Sequence, residues 1–209
     1  MVDMDELFSD KPSKKYQDPD FPQGRSNPDA TVSLGHMSNN VVDVMQAIAS
    51  NKGIRTLLYV SETDPFDSEY EADIPDEIEI LAPNNEKNRI SPVSFNMDAQ
   101  IDDRTEIRVY YNIGRFSKEG KHVDYNIHID IICAKTLWLM RDINCKSKIR
   151  PYEIMSRIFD VVGQKNINQI NIGKPVQFQM LSVNERFDAI RIYFNTHDIV
   201  GDVDKVKGW

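Results

Sequence analysis

Three polar side chains at alternate positions, Asn126, His128 and Asp130, are the residues whose types and spacing could do chemistry. Successive side chains of an extended chain point to opposite sides, so these three share one face of a strand. Imidazole and carboxylate groups side by side can bind a metal ion, or act as a base and the group that orients it. With Cys133 as nucleophile, the stretch would make a small hydrolase.

Two requirements weigh against that chemistry. A metal site needs three or four ligands, and this stretch offers only His128 and Asp130. Cys133 falls in register with Ile127, Ile129 and Ile131, so the alternation predicts a small buried side chain and not a nucleophile beside His128. We therefore predict that the chain is not an enzyme and holds no metal or cofactor. A small hydrolase or metal-binding enzyme using His128 and Asp130 is the less favoured alternative.

The cysteines and the first residues indicate where the protein is used. Cys133 and Cys145 are the two cysteines of the chain, and they lack the CxxC spacing of a zinc site. The N-terminus lacks the basic start, apolar stretch and small-residue cleavage site of a secretory signal. Apolar runs are interrupted well before the roughly 20 residues that a membrane-spanning helix needs. We expect reduced thiols, no export and no membrane partner.

The charge of the chain disfavours binding to nucleic acid. The formal net charge is -8, whereas nucleic-acid binders cluster Lys and Arg. The densest acidic stretch, Glu62 to Glu79, lacks the Asp-x-Asp-x-Asp-Gly spacing of a calcium loop. An acidic wall repels phosphates, so a protein that surrounds DNA without holding it is compatible with this charge. The residues that we assign to an acidic loop or channel wall are Glu62, Asp64, Asp67, Glu69, Glu71 and Asp73.

The organisation along the chain is one domain with an arm. Residues 1–37 contain four prolines and no periodic apolar pattern, which favours either an extended arm or a flexible tail. In the arm hypothesis, Phe8, Tyr16 and Phe21 are anchors on a neighbouring subunit. Residues 38–200 form a single domain with an acidic loop at 61–100, and residues 201–209 form a C-terminal tail.

The periodicity within the domain predicts its elements. Ser38, Asn39 and Asn40 are candidate N-caps of a helix that ends near a left-handed Gly53, and a short helical segment follows. The alternation of "EIEIL" (77–81) predicts a strand. Two hairpins, within 105–132 and 176–194, flank a helix that begins at Arg150-Pro151 and ends at Gly163. The predicted fold class is α+β, with an antiparallel sheet of about four strands packed against one main helix plus an N-terminal helix.

One combination of motifs resembles a known group of proteins. The strand residues Ile127, Ile129, Asp130, Ile131, Ile132 and Cys133 are followed by Trp138 and then by Arg150-Pro151 at the start of a helix. This order, after a helix ending in "IRTLLYVSETDPF", resembles tail terminators and related head-tail connector proteins in the neck of tailed bacteriophages. The resemblance covers roughly residues 38–198. Those relatives often have a histidine after the cysteine, where this chain has Ala134.

The resemblance implies a structural role in a virion. Such relatives form a ring, commonly sixfold, that terminates the tail tube, joins it to the head connector and leaves a channel for DNA. The expected partners are copies of the chain, adjacent connector or adaptor proteins, and tail-tube or sheath proteins. The expected location is the neck, after synthesis in the host cytoplasm, and a head-closure or adaptor ring of the same neck is the alternative. The residues that we predict at interfaces are Phe8, Tyr16, Phe21, Asn126, His128, Asp130 and Trp138.

Overall fold

A computed structural model describes residues 35–93, 102–116, 122–163, 166–167 and 170–199. The α-helices in these ranges are α1 (Gly35–Ala49), α2 (Lys52–Tyr59), α3 (Glu77–Leu81) and α4 (Arg150–Val162). The strands are β1 (Ile90–Ser91), β2 (Thr105–Phe116), β3 (His122–Ala134), β4 (Leu139–Arg141), β5 (Ser147–Ile149), β6 (Asn166–Ile167), β7 (Ile170–Ser182) and β8 (Phe187–Ile199). Single 3₁₀ turns occur at Ser68–Tyr70 and Lys135–Leu137.

The main sheet has the strand order β1-β2-β3-β8-β7-β6. Its four long strands, β2, β3, β8 and β7, pair antiparallel, while the short β1 pairs parallel to β2 at one edge. β4 and β5 form a separate two-stranded sheet. The α+β class and the two long hairpins are confirmed. The sequence did not predict the short edge strands or the small second sheet.

One face of the main sheet is apolar and covered by helices. α4 packs on β3, and α1 and α2 pack on β2. Val109, Ile129 and Ile192 lie side by side on three strands and are fully buried. Each such side chain stabilises the fold by roughly 1.5–3 kcal/mol through the removal of apolar surface from water. We call this surface the helix-covered face.

The predicted apolar stripe of α4 is confirmed. Ile154, Ile158 and Val162 are buried in the main core, while Met155 and Phe159 pack partly buried against it. Pro151 lies in the first turn, where its missing N–H costs nothing, and Gly163 is the C-cap residue. A Cβ at position 163 would come 2.6 Å from the Phe159 carbonyl oxygen, so the glycine is required by close approach.

The predicted start of α1 and the predicted break between α1 and α2 are both wrong. α1 begins at Gly35, so Ser38, Asn39 and Asn40 lie inside the helix and are not its N-caps. Asn40 is instead buried, and its side-chain amide donates to the Tyr125 hydroxyl at 3.3 Å. Gly53 lies within α2 and is not a left-handed terminator. The break between the helices is made by Asn51, whose side chain accepts a hydrogen bond from the Ile54 N–H at 3.0 Å.

The predicted strand at 77–81 is also wrong, because these residues form α3. Asp76 accepts hydrogen bonds from the N–H groups of Ile78 and Glu79, and the Glu79 carboxylate accepts one from the Asp76 N–H. This reciprocal capping box satisfies backbone donors that a helix start leaves unpaired. It follows Pro75, and its Asp-x-x-Glu spacing is readable in the sequence.

A buried arginine joins α4 to two other parts of the chain. The Arg150 guanidinium donates to the carbonyl oxygens of Leu57 (3.0 Å), Val60 (2.5 Å), Glu62 (2.7 Å) and Leu137 (2.9 Å). Burial lowers the pKa of this arginine, although four carbonyl partners compensate much of the lost hydration. The side chain therefore ties the end of α2 and the 3₁₀ turn after β3 to the start of α4.

Several predictions lie outside the described residues. These are the arm at 1–34 with Phe8, Tyr16 and Phe21, and the tail at 201–209. Residues 35–37 of the predicted arm belong to α1. Among the helices that the structure describes, none has the length and apolar character needed to cross a membrane.

Candidate functional site

The second face of the main sheet carries the polar residues that the sequence singled out. Tyr110, His128 and Tyr193 lie side by side on β2, β3 and β8, and the adjacent row contains Arg108, Asp130 and Arg191. Directly opposite residues of antiparallel strands project from the same side of the sheet. We call these six residues the polar face, since they lie opposite the helix-covered face.

Asp130 is the centre of a charged hydrogen-bond network. Its two carboxylate oxygens accept from Nε and Nη2 of Arg191 at 2.7 and 2.8 Å. The Tyr110 hydroxyl donates to Asp130 at 2.7 Å and accepts from Arg191 at 2.7 Å. Two-pronged arginine–carboxylate pairs of this kind fix geometry as well as charge. The network closes a triangle across three strands.

The titration of these groups follows from that network. Burial and the hydrogen bond to Asp130 raise the pKa of Tyr110, so its hydroxyl keeps its proton. The hydrogen bond to Asp130 also raises the pKa of Arg191. Asp130 therefore faces two permanent donors. Its oxygens are committed to structural partners and are poorly placed to orient a catalytic base.

His128 lies between two tyrosine rings. Its ring centroid is 4.5 Å from that of Tyr193 and 5.7 Å from that of Tyr110. Burial, followed by the nearby charge of Arg191, lowers the pKa of His128, so the neutral imidazole is favoured. Its Nδ1 atom is buried without a hydrogen-bond partner among the described residues. The ring is held as a packing element of the sheet.

The assignment of Asn126, His128 and Asp130 to an interface stays a prediction, and the three residues differ in their exposure. His128 and Asp130 are buried, while Asn126 is partly exposed. The physical reason is that Tyr110, Arg191 and Tyr193, long side chains on the neighbouring strands, lie over them. The polar face is thus buried at its centre by its own side chains. Contact between the exposed part of this face and another subunit stays a prediction.

A second ionic group continues the same surface along β2. Glu106 is buried and makes ion pairs with Arg104 and Arg108. Beyond it lies a small apolar cluster of Ile132, Ala134, Phe187 and Ala189. The polar face therefore changes from hydrogen-bonded ions to apolar packing at the end nearest the 3₁₀ turn.

Cys133 lies on the side of β3 away from His128, as its register predicted. It is fully buried, and its Sγ lies 3.4 Å from the Thr105 hydroxyl. Burial raises the pKa of the Cys133 thiol to about 11, so at neutral pH it is protonated and a poor nucleophile. Cys133 and Cys145 are both free, the latter exposed. The sheet thus separates the two groups that the hydrolase hypothesis needs together.

The residues that the structure describes contain no group of three or more His, Cys, Asp or Glu side chains that could hold a metal ion. Within the same ranges, the ligands considered from the sequence, His128 and Asp130, are occupied by aromatic packing and by Arg191.

Trp138 lies next to the start of β4 and is partly exposed. Its indole N–H donates to the Cys133 carbonyl oxygen at 3.4 Å. Its assignment to an interface stays a prediction.

The acidic segment lies between α2 and α3 in the chain, and some of its acidic side chains are engaged by neighbouring groups. Asp67 caps the 3₁₀ turn at Ser68–Tyr70, Glu71 pairs with Lys52, and Asp64 lies 3.5 Å from Arg141. Glu62, Glu69 and Asp73 are exposed. The proposed channel wall therefore retains acidic side chains that face solvent.

The sequence did not single out Tyr110, Arg191 or Arg150 as partners in these networks. A signal existed for the first two, because each occupies a polar position of an alternating strand. Their convergence on Asp130 depends on pairing between strands that are distant in sequence. Arg150 was recognised only as the residue before a helix-initiating proline.

Comparison with known proteins gives one family. The YomW family model matches residues 51–196, which is more than half of the chain. The matched range runs from the cap of α2 to β8, and so contains the polar face, Arg150 and both long hairpins. No curated protein matches the chain significantly.

Proposed function

Because the chain belongs to YomW, a phage-derived family, we propose that it is a non-enzymatic structural protein of a phage particle. In this proposal it forms a ring, hexameric as in the neck proteins that its sequence resembles. The ring terminates the tail tube, joins it to the head connector and leaves a channel for DNA. A cyclic ring requires two different surfaces on each subunit that fit one another.

The observation that carries the proposal is an apolar patch on the β4–β5 hairpin. Leu139 and Ile149 lie directly opposite each other on the two strands, and Leu139 is 70% exposed. Ile143, in the turn that connects β4 and β5, is 78% exposed. Tyr152 of α4, three residues after Ile149 in the sequence, is 38% exposed. Exposed apolar side chains that lie side by side, as Leu139 and Ile149 do, mark a protein contact. We assign the patch to the next subunit of the ring.

The polar face supports a structural role. Its acids and bases are paired with one another, the imidazole is neutral, and the thiol lies on the opposite face. These groups stabilise a sheet that can serve as a rigid scaffold.

Charge supports the passage of DNA without binding. The net charge of -8 and the exposed Glu62, Glu69 and Asp73 favour repulsion of phosphates. We place this segment at the border of the channel. A lumen lined by Lys and Arg would contradict that placement.

The experiment is the mass of the purified full chain together with its position in assembled particles. We expect an assembly whose mass is several times 24.1 kDa, the mass of one chain. Ile143→Asp should abolish the ring by placing a charge in the apolar contact, whereas Asn144→Asp, one residue along the same turn, should leave it intact. Imaging of labelled particles distinguishes the tail-tube end from a head-closure position. A chain that stays monomeric and is absent from particles would refute the proposal.

A further inference from the structure

The outer edge of β7 is a free strand edge in the part of the chain that is described. β8 pairs with its inner side, whereas β6 covers its outer side only at Ile170 and Asn171. The segment Val176–Ser182, "VQFQMLS", contains no charged residue in a chain of which 28% is charged. Monomeric proteins usually protect a free edge with charges, bulges or covering segments, because it can pair with another strand. β7 has bulges on either side of Pro175, but from Gln177 to Ser182 its pairing with β8 is regular and no side chain is charged.

The same strand exposes apolar side chains at alternate positions. Val176 and Phe178 are each 57% exposed, and Met180 is 45% exposed. Phe178 and Met180 pair with the buried Ile192 and Ile190 of β8, so they belong to the helix-covered face. The helices, however, pack mainly on β1, β2, β3 and β6, and the side chains of Val176, Phe178 and Met180 stay exposed. β7 therefore continues the apolar surface beyond the edge of its helical cover.

The order of side chains in β7 is self-complementary. If a second β7 lies antiparallel with Phe178 opposite Phe178, then Val176 faces Met180 on one side and Gln177 faces Gln179 on the other. Shifting the register by one residue sets Phe178 against Gln179 and loses the match on both faces. Shifting it by two residues keeps part of the match but sets Val176 against Ser182 in one direction, or Met180 against Lys174 in the other. Among these registers, the one centred on Phe178 sets all three exposed apolar side chains against one another.

From these three observations we propose that two copies of this chain pair edge to edge through β7, in the antiparallel register centred on Phe178. The contact joins the two main sheets into one continuous sheet and covers the exposed stripe of each copy with that of the other. A two-fold contact closes at two copies and cannot build a ring by itself. The inference is therefore independent of the ring proposal, which uses the β4–β5 hairpin.

Cysteine cross-linking tests the register in the full chain. In a Cys145→Ser background, Phe178→Cys places two thiols opposite each other, where Cβ atoms are about 4.5–5.5 Å apart. We expect mild oxidation or a short thiol cross-linker to give a covalent dimer. Ser182→Cys in the same strand is the control, because position 182 faces position 174 of the other copy and should not link to itself. Equal linking of both variants, or of neither, would overturn the register.

A charge variant tests the pairing by mass. Phe178→Lys sets two lysines opposite each other, and we expect the pair to dissociate, halving the mass of the smallest stable assembly. Ile143→Lys, at a site on the β4–β5 hairpin that is 78% exposed, should keep the β7 pair. If the Ile143→Asp variant forms dimers where the wild-type chain forms a ring, both the ring through the β4–β5 hairpin and the pairing through β7 are supported. An unchanged mass for Phe178→Lys, with no covalent dimer of the Phe178→Cys variant, would refute the β7 contact whatever becomes of the ring.

Discussion

The two faces of the main sheet bury their residues by different means. On the helix-covered face, Val109, Ile129 and Ile192 are excluded from water by a second layer of secondary structure. On the polar face, His128 and Asp130 are excluded by the long side chains of neighbouring strands. The difference shows that a polar residue on a sheet side that no described helix covers can be nearly as buried as a core isoleucine. The two faces should respond differently to mutation and to pH.

The largest expected effect is on the helix-covered face. Ile129→Ala removes a fully buried side chain and leaves a cavity between sheet and helices. We expect the free energy of unfolding to fall by about 4 kcal/mol, measured by chemical denaturation. Ile129→Val should cost only about 1 kcal/mol. Equal losses for the two variants would mean that this face repacks freely.

The second-largest expected effect distinguishes the buried ion pair of the polar face, Asp130–Arg191, from a more exposed ion pair. Asp130→Ala removes the carboxylate partner of Arg191 and leaves the Tyr110 hydroxyl without its acceptor, and we expect a loss of about 3 kcal/mol. Asp188→Ala on β8 removes a more exposed pair with Lys135 and should cost less than about 1 kcal/mol. Denaturation of both variants makes the comparison. Similar losses of stability in the two variants would show that Asp130 is no more shielded from water than a surface carboxylate.

A smaller effect concerns pH and His128. Because its pKa is lowered in the folded protein, the unfolded chain binds a proton more tightly. Stability from this residue is therefore full above the unfolded pKa of about 6.5 and is lost as pH falls towards the folded pKa. We expect wild type to lose more stability than His128→Gln between pH values of about 7.5 and 5. Parallel stability curves for the two proteins would contradict a buried neutral imidazole.

The residues around His128 show what sequence patterns can and cannot predict. The alternation of β3 correctly separates Cys133 from His128, because strand geometry alone determines the side to which each residue points. Exposure does not follow from alternation, since it depends on which residues lie opposite. Tyr110 and Tyr193 are 18 and 65 positions away, and their register with His128 is set by the whole sheet.

The helical segments show a different limit. Ile78 and Ile80 alternate with glutamates as a strand would, and five residues fit either period. The local hydrogen bonds of Asp76 and Glu79 decide the outcome in favour of a helix. In the same way, Asn51 caps α2 and so places Gly53 inside the helix. In both cases the deciding signal was a capping side chain, which was present in the sequence.

The hydrogen bonds of Arg150 determine which segments of the protein unfold together. Its guanidinium holds carbonyl groups at the end of α2 and in the turn after β3, about 90 and 13 residues earlier in the chain. Neither segment can move away from α4 without breaking charged hydrogen bonds. Amide hydrogens in the two segments should therefore exchange with solvent with similar free energies, as one cooperative unit.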